Sequence, residues 1–452
     1  MWEEKMILSN LYVKKLYGRY TYRVNFNSDI TLLYGMNGCG KTTILNIITA
    51  IITGNVFRLF SYDFEKVNLT YFDENNARLS NSIIIKREDE QLRITFKNTD
   101  KMIAKLQIPE ERRRRIDSGE SMYFEEYPIL SEIKKEFNYV YLALNRASAL
   151  SDNDDYIFYR RRRFYVEEGE IIEPDNIAPE IRYVEGLISN QYMRATSLIN
   201  TINNEFRNSI LKSALDLNIQ TDIGKMMSDF NVKDLKRNDI SEIRDSYIKT
   251  LNDLNLISSE EKKQYKVFFE NYKKRIQIIG EHDSIDIQDM FSLIVEYNEM
   301  KKIQGIVDIA AETEKRKSIA MKPIELFLDT VNEFISSADL KKKIDINLNG
   351  HVYFKTEDSS HKLSIQYLSS GERQILVFFA NLIFGVKDTS SGIFVVDEPE
   401  LSLHLSWQKV FVKKALSINN NVQFIFATHA PEIIGIYRDK TERLERITES
   451  GN

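Results

Sequence analysis

The amino-acid sequence predicts an α/β fold with a mostly parallel central sheet. The apolar run DITLLYG (29–35) leads into a glycine-rich loop and then into an apolar helix. Two more apolar runs, GIFVVDE (392–398) and NVQFIFATH (421–429), are separated by a segment whose apolar residues have helical spacing. Because helices cover both faces of a parallel sheet, its strands are apolar at almost every position. Alternation of such strands with helices predicts the α/β class.

The composition favours a globular protein of the cytoplasm. Hydrophobic residues make up 42% of the chain and charged residues 29%, and the formal net charge of −5 gives no general reason to expect nucleic acid as a partner. The single cysteine, Cys39, excludes an intramolecular disulfide. The sequence shows neither an apolar run of about 18 residues nor the apolar core of a signal peptide. We therefore expect a cytoplasmic protein that does not contact a membrane.

Three regions of the chain differ in pattern. Residues 1–150 contain strand patterns around the glycine-rich loop, and the segments SIIIKRED and QLRITFKN are expected to be antiparallel strands. Residues 151–342 are mainly helical, with apolar positions three and four apart, and are expected to form an insertion. Residues 343–452 return to alternating strands and helices. We expect an N-terminal lobe, a helical insertion and a C-terminal lobe.

Two strand patterns allow more detailed predictions. The segment NYVYLALNR (138–146) has an apolar centre, which predicts a central strand of the sheet. The pair Asn349-Gly350 lies between two strand patterns and predicts a hairpin with a type I′ turn.

The stretch GMNGCGKTT (35–43) matches the phosphate-binding pattern G-x-x-x-x-G-K-[ST] between a strand and a helix. Its glycines would let backbone N–H groups face phosphates, and the helix dipole would add to the attraction. Lys41 is expected on the β- and γ-phosphates of ATP, and Thr42 on Mg²⁺. The predicted nucleotide-binding residues of this loop are Gly35, Asn37, Gly38, Cys39, Gly40, Lys41, Thr42 and Thr43. Cys39 is either a redox-sensitive thiol or a small residue that fills a variable position.

The two apolar strands that follow the insertion end in polar residues. Asp397 is expected to hold the hydration shell of Mg²⁺, and Glu398 to polarise the water that attacks the γ-phosphate. The alternative is an acidic pair at the protein surface. His429 follows the next strand, at the sheet edge where open α/β sheets bind ligands, and its ring can donate to a phosphate oxygen. The alternative is a purely structural histidine.

LSSGERQ (368–374), called the signature stretch below, supports two interpretations. Ser369 and Glu372 fit the S-x-x-E pattern of a capping box at the start of a helix. The same geometry places hydroxyl groups, a glycine N–H and the helix dipole together, and so forms an anion site from Ser369, Ser370 and Gly371.

The order of these motifs resembles that of an ABC-type ATPase head. The spacings between Gly371, Asp397 and His429 also resemble that superfamily, and DEPELSLHLSWQ is similar to the segment that contains its D-loop, here Ser402 to His404. The resemblance covers about residues 1–150 and 345–440. LSSGER is similar to the Rad50, RecF and OLD-like branch, especially to the stand-alone ATPases of bacterial anti-phage systems of the Septu and PARIS types. The glutamine of the Q-loop has no assigned counterpart, and Asn145 and Arg146 lie near its expected position.

This resemblance implies a head-to-tail homodimer with two ATP molecules and Mg²⁺ at its interface. Ser369 and Gly371 would act on the nucleotide of the partner copy, whereas Lys41, Glu398 and His429 would act catalytically on the copy's own nucleotide. The implied function is an ATPase sensor or scaffold that controls a separate nuclease or toxin and responds to a phage protein or nucleic acid. The chain ends soon after the His429 strand, so we expect the effector to be another protein.

Two other functions remain open from the sequence. The first is a DNA-repair ATPase of the RecF or Rad50 kind that acts directly on DNA, and the second is an ATPase subunit of a transporter. The helical insertion and the residue pattern LSSGER both argue against an ATPase subunit of a transporter. The runs Arg112–Arg115 and Arg160–Arg163 would suit nucleic acid or an acidic partner, or they form a solvated face beside neighbouring acids.

Overall fold

The computed structural model describes most of the two lobes and the long helices. The described residues are 6–74, 80–97, 103–107, 126–143, 178–215, 240–254, 256–281, 287–337, 341–385 and 392–448. Asn145, Arg146 and both arginine runs lie outside the described residues. The chain forms two compact units, the first comprising Met1–Gln191 with Pro323–Asn452 and the second Tyr192–Lys322.

The described strands, in chain order, are β1 (Met6–Leu16), β2 (Tyr20–Asn25), β3 (Ile30–Tyr34), β4 (Lys66–Asp73), β5 (Ser80–Glu88), β6 (Gln91–Phe96), β7 (Ile103–Gln107), β8 (Tyr139–Ala143), β9 (Lys342–Ile346), β10 (Val352–Thr356), β11 (Ser359–Ser364), β12 (Gly392–Asp397), β13 (Val422–Thr428), β14 (Thr441–Arg443) and β15 (Ile447–Thr448). The described α-helices are α1 (Lys41–Ile52), α2 (Pro128–Glu136), α3 (Pro179–Leu215), α4 (Ile240–Asp253), α5 (Ser259–Glu281), α6 (Ile287–Ile335), α7 (Ser370–Ala380), α8 (Leu405–Ile418) and α9 (Pro431–Ile434).

Five of the described strands form the predicted parallel sheet. Their order is β14-β3-β13-β12-β8, and every neighbouring pair is parallel. Tyr34 of β3 pairs with Thr428 of β13, and Ala427 of β13 pairs with Asp397 of β12. The carboxyl ends of these three strands therefore meet at one edge of the sheet, which is where α/β proteins bind ligands. The predicted α/β class is confirmed.

β8 differs from its predicted position. It pairs with β12 and is the last strand in the order of the described sheet rather than a central one. The prediction is wrong because an apolar run indicates that the faces of a strand are buried, and it does not indicate how many strands lie beside it. Leu142 in β8 is buried even though the strand lies at an edge.

Side chains alternate between the two faces of the parallel sheet. Ile393 and Val395 of β12 belong to a core that also includes α1 and strands of the N-terminal lobe. Phe394 points to the opposite face, where its ring centroid lies 5.3 Å from that of Phe378 in α7. Phe378 also packs on Phe411 of α8 at 4.3 Å. Helices therefore cover both faces of the sheet, as its apolar strands require.

The N-terminal lobe contains the predicted antiparallel strands. Seven of the described strands form one sheet in the order β15-β2-β1-β4-β5-β6-β7. Gln423, a fully buried polar residue of β13, joins this sheet to the parallel one. Its Nε2 donates to the Leu8 carbonyl at 2.8 Å, and its Oε1 accepts from the Leu8 N–H at 2.9 Å. A buried amide in this position is stable because its hydrogen bonds are made.

A third described sheet, β11-β10-β9, follows the helices in the chain. The predicted hairpin between β9 and β10 is present, but its turn is not type I′. A type I′ turn needs positive φ at both central residues, and Asn349 does not have it. The Gly350 N–H donates to the Asn347 carbonyl at 2.9 Å, and Gly350 itself has φ of 83°. Gly350, with its positive φ, therefore follows the two central residues of the turn instead of being one of them.

The described residues of the second unit, Tyr192–Lys322, are mainly helical and belong to α3, α4, α5 and α6. Its core is rich in aromatic residues, such as Tyr247, Phe269, Tyr272 and Tyr297. The tyrosine rings provide apolar area while their hydroxyl groups reach polar partners or water. None of the helices in the described part of the chain combines the length and apolar character needed to cross a bilayer.

Candidate functional site

The glycine-rich loop connects β3 to α1 in the predicted manner. Gly38 and Gly40 have φ of 79° and 106°, a backbone region that other residues rarely adopt. A Cβ on Gly35 would lie 2.7 Å from the Cys39 sulfur. The local sequence therefore favours this shape of the loop, because Gly38 and Gly40 adopt a backbone conformation that suits glycine and a Cβ at Gly35 would displace the Cys39 side chain.

Two side chains from outside the loop, those of Tyr22 and Arg446, donate hydrogen bonds to its backbone carbonyls. The Tyr22 hydroxyl donates to the Cys39 carbonyl at 3.0 Å. Arg446 donates to the Gly38 carbonyl, and its guanidinium lies 4.6 Å from the centre of the Tyr20 ring. Burial raises the pKa of Tyr22, so its hydroxyl stays a donor at neutral pH. Sequence analysis missed both contacts, because no local pattern connects these residues to the loop.

Lys41 is buried at the start of α1, with 6% of its surface exposed. Its Nζ donates to the Gly35 carbonyl at 2.8 Å and lies 3.4 Å from the Met36 carbonyl. Asn37 and Thr42 are exposed, whereas Thr43 is half-buried. The ammonium group therefore lies within the curve of the loop, where it can meet an anion that the loop N–H groups bind.

Asp397 lies beside α1, although 355 positions separate its strand tip from Thr42 in the numbering (397 − 42). The Thr42 hydroxyl lies close enough to the Asp397 carboxyl to lower its pKa. Burial raises the pKa of Asp397, and the Thr42 hydrogen bond and the charge of Lys41 oppose that shift only in part. Oδ1 of Asp397 is buried without a hydrogen-bond partner in the described structure. A carboxylate oxygen of this kind next to a hydroxyl fits a hard cation such as Mg²⁺.

Asp397→Asn should raise the melting temperature of the nucleotide-free protein at pH 7. The raised pKa means that the ionised carboxyl is less stable in the folded than in the unfolded protein, so stability is lost as the pH rises through the folded-state pKa. The amide removes that cost, and the gain should therefore shrink as the pH is lowered. Thermal melts across pH test this; Asp439→Asn, an acid on the surface, is the control. A melting temperature below that of the wild type at pH 7 would contradict the assignment.

Glu398 follows Asp397 in an unusual backbone conformation. Its φ is 53°, which costs a residue other than glycine about 1 kcal/mol or more. The Glu398 N–H donates to the Ala427 carbonyl at 2.8 Å, so β13 holds this conformation on one side. A strained residue at the end of two parallel strands is a common feature of active sites.

Glu400, which sequence analysis did not select, orients His429. One carboxylate oxygen of Glu400 lies 2.9 Å from Nδ1 of His429 and accepts from the His429 backbone N–H at 2.8 Å. Glu400 is buried, with 6% exposure, whereas the His429 ring is half-exposed. With Nδ1 held by the acid, Nε2 is the ring nitrogen left to meet a ligand. The segment DEPE contains this third acid, but only the fold brings it to His429.

Glu400→Gln should lower kcat for ATP hydrolysis roughly 10- to 100-fold and leave KM nearly unchanged, because a hydrogen bond to a charged group contributes about 1.5–3 kcal/mol. The substitution should have no further effect in a His429→Ala background, since Glu400 acts through that ring. Steady-state phosphate release from the single and double variants provides the measurement, with Glu432→Gln as the control. Additive effects of the two substitutions would show that Glu400 acts independently of His429.

The signature stretch begins α7 with the predicted capping box. The Ser369 hydroxyl accepts from the Glu372 N–H at 3.3 Å, and the Glu372 carboxylate accepts from the Ser369 N–H at 2.7 Å. Glu372 is also paired with Lys342 of β9 at 2.9 Å. Burial alone would raise the pKa of Glu372, but Lys342 and Ser369 hold it below its usual value. Glu372 therefore caps α7 as an ionised carboxylate, and the charge of Lys342 balances it.

The structure divides the predicted site residues into two groups. Lys41, Thr42, Asp397 and Glu398 lie together at the loop and the adjacent strand ends. The second group is Ser369, Ser370 and Gly371, and in the described part of the chain no hydrogen bond connects them to residues 35–43. Gly371 instead packs against Ser402, whose carbonyl oxygen would lie 2.4 Å from a Cβ at this glycine.

The chain is similar to a family of known proteins and, over short stretches, to two relatives. The family model for the AAA ATPase domain matches residues 6–434. "Retron Vc95 probable ATPase" of Vibrio cholerae serotype O1 biovar El Tor is 23% identical over 185 residues, 37% of this chain and 35% of that protein. "Retron Ec83 probable ATPase" of Escherichia coli is 32% identical over 80 residues, 16% of this chain and 15% of that protein. The chain thus matches about one third or less of the length of these relatives.

Among solved structures, the Smc head domain of Pyrococcus furiosus with an extended coiled coil aligns with a TM-score of 0.41 and 11% identity, covering 98% of this chain and 96% of that one. The recombination mediator protein RecF aligns with a TM-score of 0.35 and 13% identity, covering 95% of this chain and 94% of that one.

Proposed function

The chain belongs to the AAA ATPase domain family, and we propose that it hydrolyses ATP between two copies of itself in order to control a separate effector of antiviral defence. The observation that carries this proposal is the division of the site residues. Lys41, Thr42 and Asp397 lie together around the phosphate loop, while Ser369 and Ser370 at the start of α7 have no hydrogen bond to residues 35–43 in the described part of the chain. A head-to-tail pair of copies would join the two halves.

In this proposal each group near Lys41 has one role toward ATP. The loop N–H groups and Lys41 bind the β- and γ-phosphates, with Nζ exchanging the Gly35 carbonyl for a phosphate oxygen. Thr42 and Asp397 would hold Mg²⁺, which when bound neutralises charge on the phosphates.

The groups at the strand ends act on the attacking water and on the γ-phosphate. Glu398 orients the water and accepts its proton. His429, whose Nδ1–H is held by Glu400, donates to the γ-phosphate from Nε2 as an imidazolium, in which both ring nitrogens carry protons.

The signature stretch of the partner copy would complete the site. The exposed Ser369 and Ser370 hydroxyl groups and the N-terminus of α7 would bind the γ-phosphate from the side opposite Lys41. ATP would then hold two copies together, and hydrolysis would separate them.

The last turns of α6 belong to the same compact unit as α7, and Phe334 packs on Phe379 at 5.3 Å. This contact offers a route by which dimer closure reaches the helical insertion.

An effector protein is the proposed recipient of that change. The resemblance of the motifs to stand-alone anti-phage ATPases supports this part of the proposal, and so does the name of the two relatives, which assigns a probable ATPase to a retron. The trigger would be a phage protein or a nucleic acid.

Affinity capture of the Glu398→Gln variant with ATP should recover a nuclease or a toxin. Recovery of DNA alone, through binding that weakens steeply with salt, would favour direct action on DNA.

A mixing experiment tests the composite site. Lys41→Ala removes the phosphate half-site, and Ser370→Glu places a negative charge on the exposed start of α7. Ser370 is a better position than Gly371, because any side chain at Gly371 meets Ser402 of its own copy. Each variant alone should be inactive. A heterodimer keeps one intact site, so an equal mixture should regain turnover, with about one quarter of the wild-type value as the upper limit, because half of the dimers are heterodimers and each has one working site of two. If the mixture stays inactive although heterodimers form, the site is not shared between copies.

A further inference from the structure

The loop that contains Glu398 is held by the helix that begins at the signature stretch. This loop, residues 398–404, connects β12 to α8. Gly371 contacts it at Ser402, where a Cβ would come within 2.4 Å of the carbonyl oxygen. Gln374 contacts it at the other end, where its Nε2 donates to the Pro399 carbonyl at 2.8 Å. Residues three apart lie on the same face of a helix, so one face of α7 holds both ends of the loop.

The bond from Gln374 is well suited to fix the backbone beside Glu398. Gln374 is buried, with 7% exposure, and its bond to Pro399 is shielded from water. Proline has no N–H, so its carbonyl is the one strong hydrogen-bonding group of that residue. Losing the donor would leave the Pro399 carbonyl buried without that partner.

Glu398 needs this support because its own conformation is unfavourable. A residue with φ of 53° relaxes to negative φ unless its neighbours hold it. The Ala427 carbonyl holds the N–H of Glu398, and the Leu401 N–H donates to the Glu398 carbonyl at 3.2 Å. Gln374 holds the next residue through the Pro399 carbonyl. The direction of the Glu398 side chain therefore depends on α7 as well as on the sheet.

We propose that Gln374 is a positioning residue for Glu398, acting through the Pro399 carbonyl. The proposal rests on the proposed function, in which Glu398 orients the attacking water and the signature stretch serves the nucleotide of the partner copy. It connects those two roles within one copy. When the start of α7 in one copy binds the nucleotide held by its partner, Gln374 of that α7 fixes the backbone of Glu398 in its own copy. That Glu398 acts at the other composite site. The two ATP molecules of a dimer are therefore hydrolysed cooperatively.

The first test removes the donor and keeps the size of the side chain. Gln374→Met should lower kcat at least about tenfold, leave the affinity for ATP within twofold, and lower the Hill coefficient for ATP. Asn381→Leu is the matched control, because Asn381 is a buried amide of the same helical segment whose Nδ2 donates to Val377 within it. That variant should lose stability and keep its kcat within twofold. If kcat falls equally in both variants, or in neither, Gln374 has no positioning role.

The second test makes the bond depend on pH. In Gln374→Glu the ionised carboxylate cannot donate and repels the Pro399 carbonyl, whereas the protonated form can donate. Burial raises the pKa of such a carboxyl. The ratio of its kcat to that of the wild type should therefore rise as the pH falls from 8 to 6, and Asn381→Asp should show no such rise. A flat ratio for Gln374→Glu would overturn the proposal. Gln374→Asn, a shorter donor, should lie between wild type and Gln374→Met.

One further measurement separates this inference from the proposed function. If Glu398→Gln fails to form an ATP-dependent dimer, the proposal of a site shared between two copies is wrong. The kcat values of the Gln374 variants then still test whether Gln374 positions Glu398. If that dimer forms but Gln374→Met keeps wild-type kcat and Hill coefficient, the shared site stands and the inference is wrong.

Discussion

Lys41→Ala should weaken ATP binding about 100-fold and reduce hydrolysis to background. Lys41 is the buried cation of the phosphate loop, and its removal takes away charge-assisted bonds that contribute about 1.5–3 kcal/mol each. It also leaves the Gly35 carbonyl without the donor that it has in the folded chain. We therefore expect a modest loss of stability in addition to the loss of binding.

Titration with a fluorescent ATP analogue and steady-state phosphate release test this expectation. Lys413→Ala removes an exposed lysine from α8 and serves as the control, which should behave like the wild type. If Lys41→Ala binds the analogue with wild-type affinity, the phosphates do not bind at this loop.

Glu398→Gln should lower turnover at least about 100-fold, because the amide cannot accept the proton of the attacking water. ATP binding should be preserved, since neither the phosphate loop nor Asp397 changes. The variant should therefore accumulate as an ATP-bound dimer. Glutamine is the suitable substitution because it matches the size of glutamate and places the same demand on a backbone with φ of 53°.

Light scattering coupled to gel filtration, with and without ATP, measures the dimer. The double variant Lys41→Ala/Glu398→Gln is the control and should stay monomeric, since it lacks the lysine that binds the phosphates. Turnover by Glu398→Gln at the wild-type rate would assign the proton transfer to another residue. Dimerisation without ATP would separate assembly from the nucleotide.

The sequence predicts those parts of this molecule that depend on neighbours in the chain. The phosphate loop follows from its glycines, and the capping box of α7 follows from Ser369 and Glu372, because both are patterns of a few residues. The parallel sheet follows from apolar strands whose faces must be buried.

The sequence placed Asp397 with Thr42 through known motifs, but two long-range contacts that belong to no motif were not predicted. Glu400 reaches His429 across 29 residues, and Arg446 reaches Gly38 across 408. These contacts form only when strands that are far apart in the chain lie side by side. The place of β8 at the sheet edge belongs to the same class, because its pattern describes its faces and not its neighbours.

The order of strands in the parallel sheet also determines when the phosphate loop can take its final shape during synthesis. Among the described strands, β3 pairs with β13 and β14 alone. A ribosome adds roughly 5–20 residues per second, so β13 is made about 20–80 s after the loop. Until then β3 is an apolar strand with two open edges, which is a hazard for aggregation. We therefore expect the half-made chain to need a chaperone and to gain affinity for ATP only when the last strands have been added.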